Sequence, residues 1–134
     1  MTPSAVIDTH GVIWYLNADP RLSNRAKNFV DEAGRQRRPV LISAIPLVEI
    51  VYPQEKGKIP SGTLTRLEDA TRTTDSVLRI TELTTGVALA VRQIPRAEVP
   101  DMPDRIIAGT ALHFGIPVIS RDGKIKASIV DTIW

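Results

Sequence analysis

The sequence predicts an α/β protein of three layers, in which a central parallel sheet of four to five strands is flanked by helices. Short apolar segments alternate along the chain with longer segments of helical spacing, which is the order expected when crossover helices connect parallel strands. The short segments are apolar throughout instead of at every second residue. This pattern is typical of strands that are covered by helices on both faces.

The individual elements follow from apolar spacing and from the turn residues between the segments. In chain order they are a strand at 4–7, a helix-like patch at 12–16, a helix at 23–34, a strand at 39–42, a helix at 43–52, a helix at 61–70, a strand at 77–80, a helix at 84–91, a helix at 104–114, a strand at 116–119 and a last short strand at 129–130 or 132–133.

Capping residues and helix breakers set the ends of these helices, because a serine or threonine side chain satisfies the first amides and glycine or proline interrupts the last turn. The predicted starts are Ser23, Ser43, Ser61 and Thr84 or Thr85, and the predicted ends are Gly34, Pro53 and Gly115.

Length and composition predict one soluble, cytoplasmic domain. The chain has 134 residues, of which 43% are hydrophobic and 24% charged, which suits a single core. Its apolar runs are far shorter than the roughly 18 residues of a membrane span, and its start lacks the pattern of a secretory signal. It has no cysteine and two histidines, so a bound metal would rely mainly on oxygen ligands, which favours hard cations.

Two aspartates directly follow predicted strands. Asp8 ends the first strand, and Asp122 follows the strand at 116–119 after two residues. The carboxyl ends of parallel strands meet at one edge of the sheet, where ligands bind. Each aspartate alone is explained equally well as an ordinary loop or cap residue. Together they predict an acidic edge.

Glu49 and Asp104 are the other candidates for this edge. Glu49 is the only charged residue between Val40 and Tyr52, and burying a carboxylate there costs several kcal/mol unless it is paired or binds a cation. Asp104 lies in the first turn of a helix, where a negative charge suits the helix dipole. We expect Asp101 to be the N-cap of that helix and Asp104 to serve in chemistry.

A cluster of Asp8, Glu49, Asp104 and Asp122 would need a cation, because two carboxylates about 4 Å apart repel each other by about 4 kcal/mol at an effective dielectric constant near 20. Oxygen ligands without thiolates suit Mg²⁺ or Mn²⁺. Such an ion can acidify a water for attack on a phosphodiester. The four residues are therefore the predicted metal-binding and catalytic set.

Basic residues predict contacts with an anionic partner. The net charge is only +2, but arginines cluster at 35–38 and basic residues at 121–126. Arg105, Arg121 and Lys124 are the candidate contacts to the phosphate backbone of a nucleic acid, although a solvated surface explains such clusters as well. The sequence shows no aromatic stripe for base stacking, and we interpret His10 and His113 as structural or surface residues.

Four segments resemble the motifs of PIN-domain proteins. Residues 8–14, Asp-Thr-His-Gly-Val-Ile-Trp, are similar to the opening motif, and residues 43–49 resemble the second motif, which ends in a metal-binding glutamate. Residues 101–108 look like the third motif and residues 120–122 like the fourth. The tail from 123 to 134 is similar to that of VapC-type toxins of toxin-antitoxin pairs. The resemblance spans nearly the whole chain, in order.

This resemblance implies a single PIN domain over 1–134, with a five-stranded parallel sheet and Mg²⁺- or Mn²⁺-dependent endoribonuclease activity. It also implies frequent homodimers and a cognate antitoxin that blocks the acidic pocket. Thr9 and Ser120 would assist by positioning a water or a carboxylate. His10 is a departure, because many relatives have asparagine at this place in the first loop.

Three other classes of protein share features with this sequence. Aspartyl phosphatases of the haloacid-dehalogenase type have a second aspartate two residues after the first, where this chain has His10. Response-regulator receiver domains need neighbouring early acidic residues and a late lysine, and neither is evident. A catalytically silent PIN module, acting as an RNA-binding or protein-interaction scaffold, remains the alternative, and the presence of all four acidic residues disfavours it.

Overall fold

A five-stranded parallel sheet forms the centre of the computed structural model, which describes residues 2–134. The strands are β1 Ala5–Ile7, β2 Val40–Ser43, β3 Leu78–Thr81, β4 Val118–Ile119 and β5 Thr132–Ile133. They lie in the order β3-β2-β1-β4-β5, and every neighbouring pair is parallel. The predicted fold class is confirmed, and β1 is the central strand.

Seven helices surround the sheet within the described residues. They are α1 Thr9–Leu16, α2 Asn24–Arg35, α3 Ala44–Glu55, α4 Thr63–Ala70, α5 Thr85–Val91, α6 Met102–Phe114 and α7 Gly123–Lys126. None of the helices in this part of the chain combines the length and the apolar character that crossing a membrane requires.

Alternate residues of the central strands face two separate cores. In β1, Ala5 and Ile7 join a core with α1, α2, α3 and α4, whereas Val6 joins a second core with α6 and α7. Successive strand side chains point to opposite faces of a sheet. Because both faces are covered, every residue of β1 must be apolar, which explains the continuous apolar runs in the sequence.

Most predicted caps are confirmed. The Ser23 and Thr84 hydroxyls accept hydrogen bonds from the amides of Ala26 and Val87. Gly115 ends α6 with a φ of 68°, a left-handed conformation that glycine adopts at little cost. These ends depend on short-range chemistry, which a sequence displays directly.

Two predicted helix ends are wrong. Helix α3 continues through Pro53 to Glu55, because proline removes one amide only and the Lys56 amide still bonds to the Tyr52 carbonyl at 3.1 Å. Helix α4 begins at Thr63 and not at Ser61. Its N-cap is Gly62, whose φ of 81° turns the chain into the helix without a side-chain cap.

Four further elements differ from the prediction. Helix α1 starts directly after Asp8, which is its N-cap, and α6 starts at Met102, two residues before the predicted start. Strand β4 is two residues long, because Pro117 has no amide to join the ladder. Helix α7, at Gly123–Lys126, was not predicted, because a four-residue helix is too short for a periodic pattern.

Candidate metal and catalytic site

All four predicted carboxylates line one cavity at the carboxyl edge of the sheet. The cavity has a volume of about 520 Å³, which we call the acidic cavity. Its lining includes Asp8, Glu49, Asp104 and Asp122, with Arg121 as the basic residue among them. The strand ends of β1 and β4, the middle of α3 and the first turn of α6 therefore meet here, as the predicted parallel sheet requires.

Asp8 is held in place by the start of α1. It is the N-cap of this helix, is only 7% exposed, and its Oδ1 accepts a hydrogen bond of 2.7 Å from the Gly11 amide. A Cβ on Gly11 would lie 2.9 Å from the same Oδ1 and 2.9 Å from an Ile7 side-chain carbon. Gly11 is thus a positioning residue that the sequence analysis did not identify.

Glu49 is tied to the first loop by a predicted supporting residue. The Thr9 hydroxyl donates a hydrogen bond of 2.6 Å to Oε1 of Glu49. Because Thr9 follows Asp8 directly, this bond links two carboxylates that lie 41 positions apart in the chain. The unusual charge on the apolar helix α3 therefore points into the acidic cavity.

Asp122 is oriented by the short helix α7. Its Oδ1 accepts hydrogen bonds from the amides of Lys124, at 2.8 Å, and Ile125, at 3.2 Å. The Ser120 side chain is almost fully buried, and its oxygen accepts a bond of 3.0 Å from the Asp122 amide. Ser120 thus helps to fix the backbone at Asp122.

Asp104 lies in the first turn of α6, as predicted. The Asp101 carboxylate accepts a hydrogen bond of 3.0 Å from the Asp104 amide, which confirms Asp101 as the N-cap. The Asp104 side chain is left to face the acidic cavity. The two neighbouring aspartates therefore have the separate positions that the sequence predicted.

Burial and mutual repulsion raise the pKa of two of these groups. The pKa of Asp104 rises to about 6, first because of burial and then because of the charges on Asp101, Asp122, Asp8 and Glu49. Burial also raises the pKa of Asp8, although hydrogen bonds from Ser120 and Gly11 act against it. Asp104 therefore lies close enough to the other three carboxylates for their charges to raise its pKa.

Ion pairs do not neutralise these carboxylates. Within residues 2–134, the four salt bridges all involve other acidic residues. In the same range, no three histidine, cysteine, aspartate or glutamate side chains are grouped so that they hold a metal ion by themselves. Mg²⁺ usually keeps several waters and binds through one or two carboxylates, so the oxygen-only donor set suits a hydrated hard cation.

The predicted RNA contacts have different surroundings. Arg121 lines the acidic cavity, and its guanidinium lies 4.5 Å from the centre of the Trp14 ring. Arg105 instead donates from Nε to the Ile94 carbonyl at 2.7 Å, a contact within the fold. Lys124 is exposed. Neither Arg105 nor Lys124 belongs to the lining of the cavity.

Aromatic rings in the acidic cavity were missed by the sequence analysis. His10, Trp14 and Trp134 line it together with the carboxylates. The Trp14 ring centre lies 5.5 Å from that of His10 and 5.8 Å from that of Trp134. Trp134 is far from the other two in sequence, so no aromatic stripe could reveal them.

The PIN domain family model matches residues 5–128. The chain belongs to the PIN domain family. This confirms the family predicted from the four motifs, whose acidic residues now line one cavity of the PIN fold. No curated protein matches the chain significantly.

Solved structures with the same fold include toxin-antitoxin proteins. The DNA-bound VapBC from Salmonella typhimurium has 22% identity and a TM-score of 0.72, over 97% of this chain and 96% of that one. VapBC2 from Rickettsia felis, bound to a promoter DNA fragment, has 18% identity and a TM-score of 0.71, over 96% of each chain. A toxin-antitoxin complex from Klebsiella pneumoniae has 24% identity and a TM-score of 0.65, over 98% and 97%. At these identities, the likeness is one of fold.

Proposed function

We propose that residues 1–134 form a single PIN domain that acts as a metal-dependent endoribonuclease, the toxin component of a toxin-antitoxin pair in the cytoplasm. The observation that carries this proposal is the acidic cavity, which four carboxylates line without a neutralising ion pair among the described residues. Such an arrangement is costly unless a cation binds. A polyanion such as RNA would also be repelled from it without one.

Asp8, Glu49, Asp104 and Asp122 would hold Mg²⁺ or Mn²⁺, some of them through water. When bound, the ion would offset the carboxylate charge and make a water acidic enough to attack a phosphodiester. The oxygen-only chemistry of the donor set supports these ions over zinc or copper.

The residues around the carboxylates have positioning roles in this proposal. Thr9 holds Oε1 of Glu49, and the Gly11 amide holds Oδ1 of Asp8. The amides at the start of α7 orient Asp122. The exposed guanidinium of Arg121 would bind a phosphate of the RNA backbone, because a planar guanidinium suits phosphate oxygens.

An antitoxin partner and a homodimer belong to the same proposal. One solved structure of similar fold, from Klebsiella pneumoniae, is a toxin-antitoxin complex. In this chain, Val48 and Tyr52 are 56% and 62% exposed on α3, the helix that carries Glu49. Because residues four apart are neighbours on one helix face, these two side chains form a small apolar patch that a protein partner would cover. A partner bound there would lie beside the acidic cavity.

The test is cleavage of total RNA by the purified chain, with and without Mg²⁺ or Mn²⁺, followed by sequencing of the new RNA ends. We expect ion-dependent cleavage that Asp104→Asn lowers at least about a hundredfold, because even changes to residues behind the metal ligands cost about 10–100-fold. Asp101→Asn is the matched control. It removes a charge from the same helix turn, while asparagine remains a good N-cap.

Ion-independent cleavage, or equal loss in both variants, would contradict the proposed chemistry. RNA binding without any cleavage would instead favour the silent PIN module. A folded Asp104→Asn protein, checked by circular dichroism, is required for either conclusion.

A further inference from the structure

The acidic cavity also contains a cluster of rings that the proposed cleavage chemistry does not use. His10 is exposed, Trp134 is partly exposed, and Trp14 between them is only 4% exposed. All three line the same cavity as the four carboxylates. The lining therefore combines groups that bind a cation with groups that bind a flat apolar surface.

Trp14 serves as the support of this cluster. The guanidinium groups of Arg21 and Arg121 lie 5.0 and 4.5 Å from its ring centre, and the rings of Trp14 and Trp134 form a T-shaped pair. The surface of Trp14 is thus already covered. The rings that remain open to a ligand are those of His10 and Trp134.

We propose that His10 and Trp134 form a nucleobase subsite, which holds an unpaired base next to the phosphodiester that is cut. This inference rests on the proposed ribonuclease function and names the side chains that would contact a base of its RNA substrate. Every base presents a π-face that stacks on an aromatic ring. Arg121, anchored on Trp14, would hold the adjoining phosphate, so one nucleotide would engage both kinds of lining.

The size of the acidic cavity favours an unpaired nucleotide. Its volume of about 520 Å³ lies within the usual range for small-molecule sites. A paired base is covered by its neighbours in the duplex, and its face becomes available only when the strand is open or the base is turned out. Loops and single-stranded segments are therefore the expected targets, and duplex RNA is a poor one.

The apolar part of the lining supports the same occupant. Ile13, Pro53 and Ile59 also line the acidic cavity, and none of them can bind a cation or a phosphate. A nucleobase can use these side chains as well as the rings, whereas a bare phosphate backbone cannot. Sequence-independent binding through the backbone alone would leave this part of the lining unused.

The experiment uses fluorescence anisotropy to compare the affinities of three labelled probes for the protein in the presence of Ca²⁺. A gel checks that the probes stay intact. The probes are a short single-stranded RNA, an abasic strand of equal length and charge, and a duplex. We expect the intact strand to bind about tenfold more tightly than either other probe, because base–aromatic stacking typically contributes a change of this order. Quenching of tryptophan fluorescence by the intact strand alone would accompany it.

Variants of His10 and Trp134 test whether these two rings cause the difference in affinity between the probes. His10→Ala should remove about half of this preference on a logarithmic scale, roughly threefold, because the Trp134 ring remains, and His10→Phe should restore it, because a phenyl ring also stacks. His113→Ala is the matched control, since it removes an exposed histidine of α6 that lies outside the acidic cavity. Trp134→Ala removes packing against the core as well, so Trp134→Phe, which keeps a ring, accompanies it.

The salt dependence separates stacking from phosphate binding. In His10→Ala the slope of affinity against salt should stay as in the unchanged protein, because no phosphate contact is lost. Equal binding of the intact and abasic strands, or an unaltered preference in both alanine variants, would overturn the base subsite.

Cleavage assays keep this result distinct from the proposed function. If the strands bind equally but Asp104-dependent cleavage persists, the base subsite fails and the nuclease proposal stands. If the base preference and its loss in His10→Ala are observed without any cleavage, the subsite stands and the nuclease proposal fails.

Discussion

The two edges of the sheet hold their charges in different ways. At the carboxyl edge, the acidic cavity collects four carboxylates and one arginine. At the amino edge, a second cavity of about 360 Å³ is lined by Arg37, Arg38 and Asp75. There, an acidic group lies among the arginines, and Arg38 also donates to the Pro3 carbonyl at 3.3 Å. Only the carboxyl edge concentrates one sign of charge.

The helix surfaces resemble the amino edge in this respect. The acidic residues in the four salt bridges of the described chain each pair with a basic residue two to four positions away, namely Asp19 with Arg21, Asp31 with Lys27, Glu32 with Arg35 and Asp69 with Arg72. Exposed pairs like these contribute little to stability. The comparison teaches that opposite charges lie side by side in these surface pairs, whereas the acidic cavity gathers carboxylates where a ligand is expected.

The largest expected effect comes from removing charge at each edge in turn. Asp8→Asn should lower RNA cleavage at least about a hundredfold, whereas Arg37→Gln at the amino edge should change it by less than about threefold. Single-turnover cleavage in Mg²⁺ measures both. A comparable loss in the two variants would break the distinction between the edges.

A glycine at each edge gives the next largest effect. Gly11→Ala should lower cleavage about tenfold to a hundredfold, because the added Cβ would displace the Asp8 carboxylate and small misplacements are costly in catalysis. Gly34→Ala meets only Val77 carbons, at 3.6 Å and beyond, within helix α2. It should raise the free energy of unfolding by about 0.5–1 kcal/mol, the usual gain for alanine over glycine in a helix.

Cleavage rates test the prediction for Gly11→Ala, and urea denaturation tests the prediction for Gly34→Ala. Full activity in Gly11→Ala would show that the Asp8 carboxylate does not need its present position. A destabilised Gly34→Ala would show that the amino edge is also under steric constraint.

The pH dependence of the ion-free protein should differ from that of ordinary acidic surfaces. The pKa of Asp104 is about 6 in the folded protein, against a reference value of 3.8, so the folded state binds more protons between these values. Stability must then fall as pH rises through this window. The paired carboxylates of Asp19 and Glu32, whose pKa values are lowered, act in the opposite direction, below about pH 4.

Thermal unfolding in a chelator from pH 4 to 7.5 measures this effect, which we expect to be on the order of a few degrees. Mg²⁺ should restore stability most at the upper end, where the carboxylates are charged. Asp104→Asn should flatten the profile, and Asp69→Asn, a change in a surface ion pair, should not. A profile that Asp104→Asn leaves unaltered would contradict the assignment.

The smallest expected effect concerns the arginine in the acidic cavity. Arg121→Gln should weaken RNA binding several-fold and reduce the slope of log affinity against log salt by about 1, because one phosphate contact is lost. Arg38→Gln at the amino edge is the control. Anisotropy titrations over a range of salt concentrations measure these slopes. If Arg121 does not contact phosphate, Arg121→Gln and the unchanged protein will give equal slopes.

Much of the fold and part of the site could be predicted, because their signals are local. Strand runs, the caps at Ser23 and Asp101 and the end at Gly115 each depend on a few neighbouring residues. The convergence of Asp8 and Asp122 also followed from one rule about parallel sheets. The end of α3 could not be predicted, because Pro53 is compatible with a helix whose next turn still forms.

The sequence by itself determined the three-layer arrangement, the strands that are apolar throughout and the identity of the acidic residues, because residue spacing and residue type carry that information. Only the tertiary structure decided which other side chains share the cavity with them. It brings Trp134 beside Trp14 and His10, makes Gly11 a neighbour of the Asp8 carboxylate, and turns Arg105 toward the Ile94 carbonyl. The physical reason is that these contacts join distant or differently oriented segments, whose meeting depends on how β1, β4 and β5 pair and not on any local pattern.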